Sequence, residues 1–179
     1  GRGRPVSDTR PLRLLHVHHG RAAGGAPLSL ARLLGGLDRR RFSSRVVVPG
    51  PGPAADLFHA LDLPVETLPV AVFYYLAHQR RVTWRTRAQH LVRSGPNRRG
   101  LRRLCAEWRP DLVHLNTALV PVSARAARAA GVPVLWHVRE VIPDTDPAAR
   151  RYLVDAARDT AAAVVAISDA AAAPFRGGA

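Results

Sequence analysis

The chain has 179 residues, 47 % of them hydrophobic and 22 % charged, and its 27 basic against 13 acidic side chains give a formal net charge of +14. That size and composition fit one compact globular domain and exclude a disordered chain, which would be poorer in Leu and Val. No apolar run approaches the roughly 20 residues that a membrane-crossing helix needs, and the single Cys105 excludes an internal disulfide.

Residues 1–10 are polar and basic, with no apolar stretch that ends in a small-residue cleavage site. They predict a disordered or tag-like N-terminus rather than a signal peptide, and a cytoplasmic protein. The chain lacks methionine, even at position 1, and is expected to be part of a longer protein. All of its basic residues are arginine, in a background rich in Ala, Gly and Pro, so part of the charge reflects overall composition. The distribution is nevertheless uneven. Residues 78–103 carry Arg80, Arg81, Arg85, Arg87, Arg93, Arg98, Arg99, Arg102 and Arg103 with no acid among them, which predicts a local positive field.

Taken in chain order, residues 12–17 read as a strand, followed by His18, His19 and a loop that contains Gly24 and Gly25. A helix follows over 27–37, where Leu30, Leu33, Leu34 and Leu37 recur at i, i+3, i+4 and i+7, with Pro27 in the tolerant first turn. A strand at 45–48 stops at the turn-rich 49–53. A helix over 54–61 and a short strand at 65–68 come next. Residues 70–91 are mixed and read as helix, and 94–100 read as a loop. The remaining expectations are a helix at 101–108 ended by Pro110, a strand at 112–115, a helix at 122–130 closed by Gly131 and a strand at 134–138. A helix at 148–162 and a strand at 164–167 complete the series, and 171–179 read as the start of a linker. Alternation of β-branched runs with helical segments predicts an α/β fold: a Rossmann-like, doubly wound, mainly parallel sheet with helices on both faces over residues 11–170.

Glycines before a helix let a phosphate approach its N–H groups, so 12–37 is a candidate phosphate loop, with a plain strand-to-helix turn as the alternative. The G-x-G-x-x-G spacing is absent, and a chain without lysine has no G-x-x-x-x-G-K-[ST] loop. No G-x-S-x-G elbow supports a hydrolase triad. His16 and His18 alternate on a strand while His19 points the other way, and no acid or Cys lies nearby in sequence, so a metal site is disfavoured. In open parallel sheets ligands bind at the carboxyl ends of strands. Two successive strands end in His114, Asn116 and Thr117, and in His137, Arg139 and Glu140. His114 reads as a satisfied core side chain, whereas His137 reads as a functional histidine able to meet a hydroxyl or a phosphate.

The order of Leu14-Leu15-His16, Gly24-Gly25-Ala26, Pro110-Asp111-Leu112-Val113-His114, Gly131-Val132-Pro133-Val134, His137-Val138-Arg139-Glu140 and Val165-Ala166-Ile167-Ser168 resembles the N-terminal domain of family-four GT-B glycosyltransferases. The resemblance implies a retaining transferase that uses a nucleotide diphosphate sugar and a hydroxyl acceptor. It implies no resident metal, and a C-terminal donor-binding domain elsewhere in the same chain. By the same resemblance His137 is the catalytic candidate. Gly24, Gly25, Ala26, Asn116, Thr117, Arg139, Glu140 and Ser168 are substrate-binding candidates. Arg80, Arg81, Arg85, Arg87, Arg98, Arg99, Arg102 and Arg103, with Trp84 among them, are candidates for peripheral contact with an anionic membrane at its inner face. A stand-alone ligand-binding α/β domain and a polyanion- or nucleic-acid-binding module are the alternatives.

Overall fold

The computed structural model of the protein describes residues 10–74 and 82–176. Strands β1 (Leu12–Val17), β2 (Phe42–Val48), β3 (Val65–Thr67), β4 (Leu112–Leu115), β5 (Val134–Val138) and β6 (Ala161–Ala166) form one sheet in the order β3-β2-β1-β4-β5-β6. Every pairing is parallel. The helices are α1 (Gly25–Gly35), α2 (Pro53–His59), α3 (Trp84–Trp108), α4 (Pro121–Ala129), α5 (Pro147–Thr160) and α6 (Asp169–Arg176). This is the expected Rossmann-like architecture. Strand order reverses between β1 and β4, the switch point outside whose carboxyl ends such sheets form a ligand crevice.

Side-chain parity explains the two layers of helices. Leu15, Val17, Val47, Val113, Leu115, Val134, Trp136 and Val138 point to one face, where they pack with Leu101 and Leu104 of α3, Ala124 and Ala127 of α4, and Leu153 and Ala156 of α5. Val46 and Val48 point to the other, against Leu30 and Leu34 of α1 and Phe58 of α2. Trp136 is fully buried, and its indole N–H donates to Thr160 Oγ1 at 3.1 Å.

Three expectations are corrected. The loop expected at 94–100 lies inside α3, which runs unbroken through Pro96. Ser94, Gly95, Pro96 and Asn97 are loop formers by local preference, but long-range packing wins. Buried Leu101 and Leu104 each contribute about 1.5–3 kcal/mol, enough to offset the ~3 kcal/mol of an internal proline. Asn97 Oδ1 also accepts from Ser123 Oγ of α4 at 3.0 Å, and His90 meets the Tyr152 hydroxyl of α5 at 3.0 Å.

The helix expected over 70–91 starts only at Trp84, where Thr83 Oγ1 accepts from Thr86 N at 3.2 Å; residues 75–81 lie outside the described residues. The third correction concerns the end of the chain. Ala161 and Ala162, read as the end of a helix, begin β6, because Thr160 closes α5 through its bonds to Ala156 O and Trp136. Residues 169–176, read partly as linker, form α6, capped by Ser168 Oγ and anchored by fully buried Ala171.

Candidate functional site

The crevice floor is built by β1 and β4. Past β1, His18 N donates to Val47 O at 2.9 Å, which holds the chain in line before it turns at Gly20. Arg21 O then accepts from Ala54 N at 2.9 Å, and Arg21 Nε donates to Pro51 O at 3.1 Å, tying this loop to the start of α2. Gly52 sits there with φ +146°, and a Cβ on it would stand 3.1 Å from Arg21 O, so only glycine fits without strain.

The loop ends at α1, whose N-cap is Gly24. No side chain caps this helix and no acid lies in its first turn. The first N–H groups of a helix carry partial positive charge. At Gly24 and Gly25 the space where a Cβ would sit is open. The exposed start of α1 is therefore a donor surface free of side chains.

Four polar side chains just past the ends of β4 and β5 order the surroundings of that surface. Asn116, fully buried, donates through Nδ2 to Ala26 O at 3.1 Å and accepts through Oδ1 from Arg139 Nε at 2.7 Å. Arg139 Nη1 reaches Ser29 Oγ at 3.1 Å. Glu140 Oε1 accepts from Thr117 Oγ1 at 2.5 Å, and its Oε2 accepts from Ala118 N at 2.9 Å and Arg139 N at 3.2 Å. Asn116 and Arg139 thus position the first turn of α1, while Thr117 and Glu140 clamp the loop after β4 to the loop after β5.

His137 lies on β5, half-buried, on the same side of the sheet as α1. Its Nδ1 meets His114 Nε2 at 3.3 Å. Burial, and then the Arg139 guanidinium, push its pKa below the ordinary histidine value, with Glu140 acting in the opposite direction. The imidazole is therefore neutral at pH 7. Among the described residues no hydrogen bond reaches its Nε2.

Hydrogen bonds join Ala26, in the first turn of α1 after Gly24 and Gly25, to Asn116 and through it to Arg139, and Thr117 to Glu140, while His137 lies on β5 two residues before Arg139. The structure places Ser168 elsewhere, exposed at the end of β6, where its Oγ accepts from Ala171 N at 3.2 Å. Arg85, Arg87, Arg98, Arg99, Arg102 and Arg103 are exposed along α3, and Arg80 and Arg81 lie outside the described residues. Among the described residues no group of three or more His, Cys, Asp or Glu side chains could hold a metal ion, and no helix is long and apolar enough to cross a membrane.

Sequence reasoning missed a row of buried polar side chains beneath the crevice. His16 Nδ1 meets His114 Nδ1 at 2.9 Å, and His16 Nε2 meets Ser44 Oγ at 3.2 Å. The signal was strand parity, since His16 and His114 are register partners across β1 and β4.

The chain matches the family described as glycosyl transferase 4-like domain over residues 24–177. No curated protein sequence matches it. Among solved structures, Alr3699/HepE from Anabaena in complex with UDP-glucose aligns over 92 % of this chain and 40 % of its own, with 21 % identity and a TM-score of 0.66. MurG from Acinetobacter baumannii aligns over 87 % and 41 %, with 15 % identity and a TM-score of 0.59. A putative UDP-N-acetylglucosamine 2-epimerase from Listeria monocytogenes aligns over 93 % and 42 %, with 14 % identity and a TM-score of 0.60. At these identities the likeness is one of fold, and the chain spans about two fifths of each of these structures.

Proposed function

Because the chain belongs to the glycosyl transferase 4-like domain family, we propose that it is the N-terminal, acceptor-side domain of a retaining glycosyltransferase that moves a sugar from a nucleotide diphosphate sugar to a hydroxyl acceptor. The observation that carries this reading is the uncapped, acid-free start of α1, tied through Asn116 and Arg139 to the carboxyl ends of β4 and β5, where His137 lies. Backbone donors there suit a diphosphate or a ring hydroxyl. The structural likeness to HepE, whose structure contains UDP-glucose, agrees with a nucleotide sugar as ligand.

In this reading Gly24, Gly25 and Ala26 approach the donor diphosphate or the acceptor, and His137 meets the sugar being transferred. Asn116, Thr117, Arg139 and Glu140 keep the loops in place, and Ser168 leads the chain toward a donor-binding C-terminal domain. Fixed donors and cationic groups stabilise the leaving diphosphate without a resident metal. The test is release of nucleoside diphosphate by the full-length protein from a panel of nucleotide sugars, with His137→Ala and a chelator run beside it. Release that is insensitive to chelator and lost in the variant supports the reading. A panel with no release, or unchanged release by His137→Ala, counts against it.

The same proposal assigns α3 to an anionic membrane surface, where a lipid-linked acceptor would be found. Trp84, Leu91 and Val92 are each 74 % exposed on a helix that also exposes Arg85, Arg87, Arg98, Arg99, Arg102 and Arg103. The aliphatic Leu91 and Val92 exposed among cations favour a lipid interface over nucleic acid, which uses charge and aromatic stacking. Sedimentation with phosphatidylglycerol vesicles, lost in a Trp84→Ala/Leu91→Ala variant, is the expected result. Equal binding of the variant, or preference for a polynucleotide, would favour the polyanion-binding alternative.

A further inference from the structure

Four side chains on four different elements form one hydrogen-bonded row across the sheet: Ser44 of β2, His16 of β1, His114 of β4 and His137 of β5. His16 and His114 are each 3 % exposed, and their rings meet edge to face at 5.2 Å and 84°. The row begins at half-buried Ser44, in a pocket shared with Leu34, Arg39 and Asp62, and ends at the crevice with His137 Nε2. Nothing in the proposed transfer uses His16 or Ser44.

We propose that Ser44, His16 and His114 are positioning residues that hold His137 as the Nδ1–H tautomer, leaving the Nε2 lone pair directed at the crevice. A neutral imidazole has one N–H and one lone pair. Each contact in the row needs one hydrogen, so all of the hydrogens point the same way. Toward the crevice, Ser44 donates to His16 Nε2, His16 to His114 Nδ1, His114 Nε2–H to His137 Nδ1, and His137 Nε2 becomes a donor. Away from it, His137 Nδ1–H donates to His114 Nε2, His114 Nδ1–H to His16 Nδ1, and His16 Nε2–H to Ser44 Oγ.

The local field selects the second polarity. The Arg139 guanidinium, held by Asn116 and Ser29, and the uncapped start of α1 put positive charge just past the end of β5, whereas both Glu140 oxygens already accept from Thr117, Ala118 and Arg139 N. A positive field at the crevice end favours the arrangement whose lone pair faces it. A charged link is excluded, because burial keeps His16 and His114 neutral, with pKa values lowered to about 4 and about 3. The outcome is a hydrogen-bond acceptor fixed at the site, suited to a sugar or acceptor hydroxyl. That last role rests on the function proposed above; the tautomer itself does not.

The experiment is two-bond ¹H–¹⁵N spectroscopy of the histidine-labelled protein at pH 7 without nucleotide sugar, on wild type, His114→Phe and Ser44→Ala. The expected result is His137 as Nδ1–H in the wild type, loss of that signature in His114→Phe with gain of Nε2–H, and a smaller shift the same way in Ser44→Ala. Wild-type His137 as Nε2–H, or a signature unchanged in every folded variant, overturns the proposal. Ser44→Ala, at the half-buried end of the row, keeps the test open should His114→Phe fail to fold. Expected tautomers with His137-independent turnover would sink the functional reading and leave this one standing.

Discussion

Lowering the pH from 7 to 5 should strongly destabilise this chain, and histidines rather than carboxylates should be the cause. His16, His18 and His114 are 3 %, 1 % and 3 % exposed, and burial lowers their pKa values to about 4, about 3 and about 3. Their surroundings add to the effect: His19 and Arg139 act on His18, while His16, His137 and Arg139 act on His114. An unfolded histidine titrates near ~6.5. Between that value and the folded pKa the unfolded state binds more protons, so stability is complete above ~6.5 and is lost as the pH falls below it. Each of the three loses about 2 kcal/mol by pH 5, about 6 kcal/mol together, against a typical total stability of about 5–15 kcal/mol. The limiting slope is about 4 kcal/mol per pH unit, since one proton corresponds to ~1.4 kcal/mol per unit. Urea denaturation followed by circular dichroism at pH 7.5, 6.5, 5.5 and 5.0 measures it. A curve shallower than one proton's slope below pH 6 would refute the neutral buried histidines.

Three further outcomes follow from single contacts. Glu140→Ala should cost about 1–3 kcal/mol by leaving the backbone N–H groups of Ala118 and Arg139 without their side-chain acceptor, read as a lower denaturation midpoint at unchanged slope. Thr160→Val removes the acceptor of the Trp136 indole, and a similar loss should accompany a changed Trp fluorescence spectrum of the folded state. Cys105 is buried and its pKa is pushed up to about 11 by burial, so native protein at pH 8 should resist a thiol reagent that labels the urea-unfolded chain at once.

What the sequence made legible was local. Leu30 and Leu34 give α1 its buried stripe by spacing alone, and the glycines before it mark an open helix start. Asn116, His137, Arg139 and Glu140 were found because strand ends are where an α/β sheet binds ligands. What escaped depends on contacts between distant residues. Pro96 stays helical because residues near it pack on α4 and α5, and Ala161 and Ala162 extend because β5 offers a partner. The His16–His114 bond joins residues 98 apart, and no pattern within one strand predicts it. Ser168, singled out by its motif position, accepts from Ala171 N and so caps α6, a contact that its motif does not announce.

Glu140 faces the crevice, yet its two oxygens accept three hydrogen bonds from Thr117, Ala118 and Arg139. Those bonds commit both oxygens to holding two loops together. Arg139 is similarly engaged, by Asn116 and Ser29. What the crevice leaves open is the start of α1, the remaining guanidinium N–H groups and His137 Nε2. These are donors with one neutral imidazole among them, a set that binds and orients an anion or a hydroxyl rather than cleaving a bond unaided. In the reading adopted here, the leaving group must then be stabilised mainly from across the crevice. Under the proposed function, what this domain would contribute is the distance and angle at which the sugar and hydroxyl meet, and geometry alone can supply several kcal/mol of a catalysed barrier.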